Sequence, residues 1–71
     1  MRVKVNRKAL LIAIVDSGMD CVTIYKKSGV SNNTFFKIVN NKQQYVSPQI
    51  IYKIAQSLGF KPSSLIVVDD E

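Results

Sequence analysis

Histidine is absent from this 71-residue chain, and acidic residues are scarce until its last three positions. Before residue 69 the only acids are Asp16 and Asp20, and the first glutamate is Glu71. A histidine-based triad, a pair of catalytic carboxylates or a cluster of metal ligands therefore cannot be assembled from this sequence. No glycine-rich phosphate loop occurs either. We expect no enzymatic activity, no metal site and no cofactor.

The chain has a single cysteine, Cys21, which excludes an internal disulfide and suits a reducing, cytoplasmic environment. An apolar run at residues 9–15 follows several positive charges, as in a signal peptide. No small-residue cleavage site comes after it, so we interpret it as a buried helix. The run is also far shorter than the ~20 residues that a membrane-spanning helix needs.

Positive charge is concentrated in the body of the chain. All ten lysines and arginines lie in residues 1–61 together with two acids, so this part carries 10 − 2 = +8, whereas the whole chain carries +5. Such an excess attracts polyanions, although the same charge could simply keep a small protein soluble. The length predicts one domain, residues 1–71, with a small core.

Caps, glycines and apolar spacing predict five helical pieces. The first runs from about residue 6 to residue 16, with Asn6 as its N-cap. Its predicted core-facing stripe consists of Leu10, Leu11, Ile14 and Val15. Residues 1–5 alternate in polarity and could form an arm or a short strand.

The second half of the chain predicts two more helices. Residues 40–46 are polar and predict a loop, and Ser47-Pro48 is a strong helix start. Gly59 ends this fourth helix, and a short fifth helix follows Pro62.

Residues 21–40 predict two helices joined by a tight turn. Gly29 supplies the left-handed backbone of the turn, Val30 fills the corner, and Ser31 caps the second helix. At 100° per residue the inward residues of that helix are Phe35, Ile38 and Val39, and the outward residues are Asn33, Lys37 and Asn40. Asparagine can pair with adenine, and lysine can donate to guanine or to a phosphate.

This pattern resembles the lambda-repressor-like helix-turn-helix family, also called the Cro/C1 or XRE type. The matching residues of the paired helices are Ile24, Gly29, Val30, Ser31, Phe35 and Ile38, and those of the fourth helix are Pro48, Ile54, Ala55, Leu58 and Gly59. The similarity spans about residues 6–67. It implies an all-α, compact five-helix domain that binds double-stranded DNA as a sequence-specific transcriptional regulator, a repressor of the phage or mobile-element kind.

The resemblance also implies where DNA would be contacted. The second helix of the pair would enter the major groove, the start of the first would face a phosphate, and the residues after the pair would follow the backbone. The expected contact residues are Thr23, Ser31, Asn32, Asn33, Thr34, Phe36, Lys37, Asn40, Asn41 and Lys42. Alternatively, the asparagines could serve turns and caps, and Phe36 could pack against a loop or a partner subunit instead of a thymine methyl.

Two residues depart from the family pattern. Tyr25 stands where the family commonly has alanine, and Cys21 stands where it often has glutamine. A tyrosine would either widen the angle between the two helices or reach a polar partner, and a cysteine cannot replace the hydrogen bonds of an amide.

A small module reads few bases, and repressors of this design dimerise on a palindromic site. The residues expected to form a homodimer contact are Phe60, Leu65, Ile66, Val67 and Val68, in the fifth helix and the tail at residues 67–71. Alternatively, these residues could close the core of a monomer. A second class of function also stays open: a protein-interaction module or antitoxin-like component on the same fold, without specific DNA binding.

Overall fold

The computed structural model describes residues 1–67, which form four α-helices, one 3₁₀ helix and a small sheet. In chain order the elements are β1 (Val3–Val5), α1 (Arg7–Ser17), α2 (Cys21–Ser28), α3 (Asn32–Val39), β2 (Tyr45–Val46), α4 (Pro48–Leu58), a 3₁₀ helix (Pro62–Leu65) and β3 (Ile66–Val67). The prediction of an all-α domain with five helices was therefore wrong in part. The fifth helix is a single 3₁₀ turn, and strands join three distant parts of the chain.

The sheet has the order β2-β1-β3, and both pairings are antiparallel. In the register, Val3 lies opposite Val46 and Val5 lies opposite Ile66. The first residues thus form the central strand of a sheet rather than an arm. The predicted loop at residues 40–46 contains the strand β2. The predicted fifth helix ends in β3, which pairs with its own chain.

Local signals set the helix ends as predicted. Asn6 caps α1, and its Oδ1 accepts a hydrogen bond from the Ala9 amide at 3.1 Å. Pro48 occupies the first position of α4, and Gly59 ends that helix in a left-handed conformation with φ of 78°. Ser47 makes no side-chain hydrogen bond to α4, so this helix start depends on the proline rather than on a serine cap.

The core is built from all four helices and the strands. Its fully buried large side chains are Leu10, Ile24, Phe35, Ile38, Val46, Ile54 and Leu65. α1 faces this core through Leu10 and Ala13, because it packs against α3, α4 and the 3₁₀ helix along that side. The predicted stripe was therefore wrong for Val15, which lies about 200° around the helix from Ala13 and is 78% exposed.

Leu65 belongs to the core and not to the surface. Its side chain is 1% exposed, and its carbonyl accepts a hydrogen bond from the Asn6 amide at 2.8 Å. A residue buried inside its own protomer cannot contact a second subunit, so the prediction of Leu65 as part of a dimer interface was wrong.

We expect Leu65→Ala to lower the free energy of unfolding by about 2–5 kcal/mol, because it leaves a cavity in a well-packed core. Urea denaturation followed by circular dichroism measures this change. Val67→Ala is the control, since Val67 is 37% exposed and a much smaller loss is expected. Equal stability of the two variants would contradict the assignment of Leu65 to the core.

Candidate nucleic-acid interface

The helix pair α2 and α3 is joined by a turn of three residues. Gly29 has φ of 80°, a left-handed conformation that a side chain would strain. Val30 is buried, 5% exposed, and fills the corner. Ser31 caps α3, its Oγ accepting a hydrogen bond from the Thr34 amide at 3.3 Å. These features confirm the predicted helix-turn-helix.

The rotation of α3 about its axis is set by two inward side chains. Phe35 is 0% exposed and Ile38 is 1% exposed, which leaves Asn33, Lys37 and Asn40 on the solvent side, all exposed. These three residues follow one edge of the helix over about 10 Å, the rise of about three base pairs. The edge carries amide and ammonium groups and no acid.

The predicted contact residues at the start of α3 divide into two groups. The Ser31 hydroxyl donates to Thr34 Oγ1 at 3.0 Å, so these two hydroxyls already serve the cap. Among the described residues, the side chains of Asn32, Asn33 and Lys37 make no hydrogen bond within the protein. Their donors and acceptors therefore remain available for base edges.

The end of α3 is a tight turn built on an asparagine. Asn41 has φ of 63°, the only positive φ at a non-glycine residue in the described part of the chain. Its amide donates to the Ile38 carbonyl at 3.1 Å, and the Lys42 amide donates to the Lys37 carbonyl at 2.8 Å. This pattern is a Schellman motif. Turn chemistry thus explains the backbone of Asn41, while the side chains of Asn40, Asn41 and Lys42 are exposed.

An aromatic cluster connects α2 to α3. The ring centroid of Tyr25 lies 6.1 Å from that of Phe35 and 5.8 Å from that of Phe36, and the latter pair is edge-to-face. Tyr25 thus packs against α3. Phe36 packs against this ring, yet 37% of its surface is exposed beside the outward edge of α3.

An acid caps the start of α2, where a phosphate was expected. The Asp20 carboxylate accepts a hydrogen bond from the Thr23 amide at 2.8 Å. The hydroxyl and the amide of Thr23 hold the pKa of Asp20 below its ordinary value, so this cap is charged at neutral pH. The Thr23 amide, predicted to meet a phosphate, is therefore already occupied. Cys21 follows the cap and is half-buried against the core.

One contact at this surface had no signal in the sequence. Arg7, the first residue of α1, donates from Nε to the Val39 carbonyl at the end of α3, over 2.6 Å. The two residues lie 32 positions apart in the chain. Neither a cap rule nor helical spacing relates them.

The two short helices, the turn with Val30 buried at its corner and the exposed polar edge define a helix-turn-helix domain. A family model described as a Cro/C1-type HTH DNA-binding domain matches residues 9–71, and the chain belongs to this family. Comparison with curated proteins and with solved structures found no significant match. None of the helices within residues 1–67 is both long and apolar enough to cross a bilayer.

We expect Asp20→Asn to raise affinity for duplex DNA by roughly 2–5-fold at low salt, because it removes one exposed negative charge that would repel the DNA phosphates. Asparagine caps helices as well as aspartate does, so the thermal midpoint should be unchanged at neutral pH. Fluorescence anisotropy with a labelled duplex measures the affinity.

Asp16→Asn is the control for Asp20→Asn, since it removes the same charge from an exposed residue in the last turn of α1 and leaves the cap of α2 unchanged. A gain as large as that of Asp20→Asn would show that only net charge matters. The lowered pKa of Asp20 means that its cap stabilises the fold above the unfolded pKa. This contribution is lost as the pH falls through the folded value, so acid should weaken the cap in wild type and leave the cap of Asp20→Asn unchanged.

Proposed function

We propose that this protein is a sequence-specific DNA-binding transcriptional regulator of the repressor type, acting with α3 in the major groove. The observation that carries the proposal is the exposed edge of Asn33, Lys37 and Asn40, which the burial of Phe35 and Ile38 turns outward. Family membership independently indicates DNA binding. We further propose a cytoplasmic location and no catalytic activity.

Base contacts are assigned to the amino-terminal half of α3. Asn32 and Asn33 can each form a bidentate pair with adenine, and Lys37, one turn further along, can donate to guanine or to a phosphate. Phe36 borders this edge with part of its ring exposed, and that part can contact a thymine methyl. Each good bidentate pair contributes about 1–3 kcal/mol of discrimination between bases.

Backbone contacts are assigned to the end of α3 and the turn after it. The Schellman turn holds Asn40, Asn41 and Lys42 in a fixed order at the surface. Asparagine and lysine side chains commonly bind phosphate oxygens, which position the protein without reading sequence. Ser31, Thr34 and Thr23 contribute through the caps that orient the helices rather than through direct contact.

Repression is the mode of regulation that fits this surface best. A domain that occupies the major groove excludes other proteins from the same site without needing an effector. By the same resemblance that predicted the fold, we propose a regulator of the phage or mobile-element kind.

A protein-interaction module or antitoxin-like component is a second candidate, and one observation favours it. α1 exposes an apolar face, on which Ile12 is 54% exposed and Val15 is 78% exposed. Leu11 lies beside them and lines the same shallow groove. Such a patch is typical of a surface that a partner protein covers.

Selection of bound duplexes from a random pool, at two ionic strengths, tests the proposed function. We expect an enriched sequence, with affinity that falls as salt rises because lysines displace counterions from phosphates. Asn33→Ala should reduce discrimination between the selected and a random duplex by about 1–3 kcal/mol. Gln49→Ala, at an exposed amide on α4, is the control. A pool that stays random would favour the interaction module instead.

We also propose a homodimer on a palindromic site, with half-sites ~34 Å apart. Within the described residues β3 pairs only with β1, so its other edge is open to a second strand. Val67 in β3 and Phe60 before the 3₁₀ helix are each 37% exposed, and Ile66 is half-buried. Val68 belonged to the same expectation and lies outside the described residues.

We expect Phe60→Ser and Val67→Lys each to raise the dimer dissociation constant by about tenfold or more, since losing ~1.4 kcal/mol of apolar contact has this effect. Sedimentation equilibrium measures the constant, and circular dichroism verifies folding. Ile12→Ser removes a comparable exposed side chain from α1 and should leave the dimer unchanged. Monomeric wild-type protein at micromolar concentration would contradict the proposal.

A further inference from the structure

Arg7 is held beside the end of the recognition helix. Its Nε donates to the Val39 carbonyl at 2.6 Å, which is the only hydrogen bond of its side chain among the described residues. The side chain is otherwise exposed. A guanidinium has five N–H donors, so four remain on its two terminal nitrogens.

Nothing in α1 itself favours a cation at this position. Arg7 and Lys8 open the helix, where the helix dipole is positive and acidic side chains are preferred. The first turn of α1 contains no acid, and Asp16 lies about 13 Å further along the helix. The start of α1 is thus an unfavourable place for a positive charge. The contact that favours Arg7 here lies outside α1, at the Val39 carbonyl.

A positive charge is favourable at the carboxyl end of α3. Helix carboxyl ends carry partial negative charge and repel phosphates. The amides of Lys42 and Gln43 both donate to the Lys37 carbonyl, so these backbone donors are not available to a phosphate. Arg7 covers the Val39 carbonyl, and its side chain supplies the positive charge that the backbone of this turn cannot.

The turn is also fixed relative to Arg7. The Val5 amide donates to the Gln44 carbonyl at 2.8 Å, and β1 pairs with β2 directly after the turn. Arg7 follows β1 by two residues. The segment at residues 40–44 is therefore held at both ends, beside Val39 by the Arg7 guanidinium and at Gln44 by the Val5 amide.

We propose that Arg7 is a DNA phosphate contact that also positions the recognition helix. Its Nε–H holds the Val39 carbonyl, and its terminal nitrogens bind one phosphate beside Asn41 and Lys42. Arginine suits both tasks at once, because its planar fork can bind a phosphate through two parallel hydrogen bonds. This inference rests on the proposed placement of α3 in the major groove.

A cycle of protein and DNA changes tests the inference. Affinities of wild type, Arg7→Gln, Arg7→Lys and the neighbouring control Lys8→Gln are measured for a selected duplex and a random duplex across a range of salt concentrations. Single phosphates of the selected duplex are then replaced, one at a time, by neutral methylphosphonates. Thermal unfolding of each variant establishes that it is folded.

For Arg7→Gln we expect the slope of log affinity against log salt to fall by about 0.9 on both duplexes, the loss of one phosphate contact. The selected duplex should lose more affinity than the random duplex, because α3 is no longer held at its end. Arg7→Lys should restore the slope of log affinity against log salt, but not the discrimination between the selected and the random duplex. One methylphosphonate should weaken wild type and Lys8→Gln but not Arg7→Gln.

Three results would overturn the inference: a slope for Arg7→Gln equal to that of Lys8→Gln, full discrimination in Arg7→Gln, or no methylphosphonate whose effect depends on Arg7. If Arg7→Gln does not fold, Arg7→Lys keeps the charge but loses the planar fork, and full discrimination between the two duplexes in Arg7→Lys would then overturn the positioning role. The proposed function fails separately, when wild type selects no sequence from the pool. A wild type that selects a sequence while Arg7→Gln behaves like the control rejects only the role of Arg7.

Discussion

The burial of Phe35 and Ile38 is the constraint on which the candidate interface depends. A helix is rigid, so placing two side chains in the core fixes the direction of every other side chain on it. Asn33, Lys37 and Asn40 point outward because the opposite side has no room for solvent. The turn of Gly29, Val30 and Ser31 then sets how α3 is oriented relative to α2.

The sequence predicts those parts of the fold that neighbouring residues decide. Asn6, Ser31 and Gly59 act on amides and carbonyls within four positions of themselves, so their effects can be worked out from spacing alone. The outward edge of α3 was predictable for the same reason, since helical periodicity is local. The contacts of Asn33, Lys37 and Asn40 with DNA stay predictions.

The remaining features depend on contacts between distant residues. Val3–Val5 forms a strand only because Tyr45–Val46 and Ile66–Val67 lie on either side of it, and neither partner strand is long enough to have a period of its own. The side of α1 that is buried, through Leu10 and Ala13 rather than Val15, was likewise set by where α3 and α4 lie. The burial of Leu65 follows from the same closure of the sheet.

One departure from the family pattern, Tyr25, adds aromatic contacts between α2 and α3. Tyr25, where a small residue is common, brings an aromatic ring against Phe35 and Phe36, and such pairs contribute ~0.5–1.5 kcal/mol each beyond their buried area. In a domain whose total stability is modest, this is a substantial share. The ring lies between α2 and α3, so it stiffens their mutual angle. We therefore propose that α3, which is capped by Ser31 and packed against Tyr25, approaches DNA as part of one rigid body, so that little ordering is required on binding.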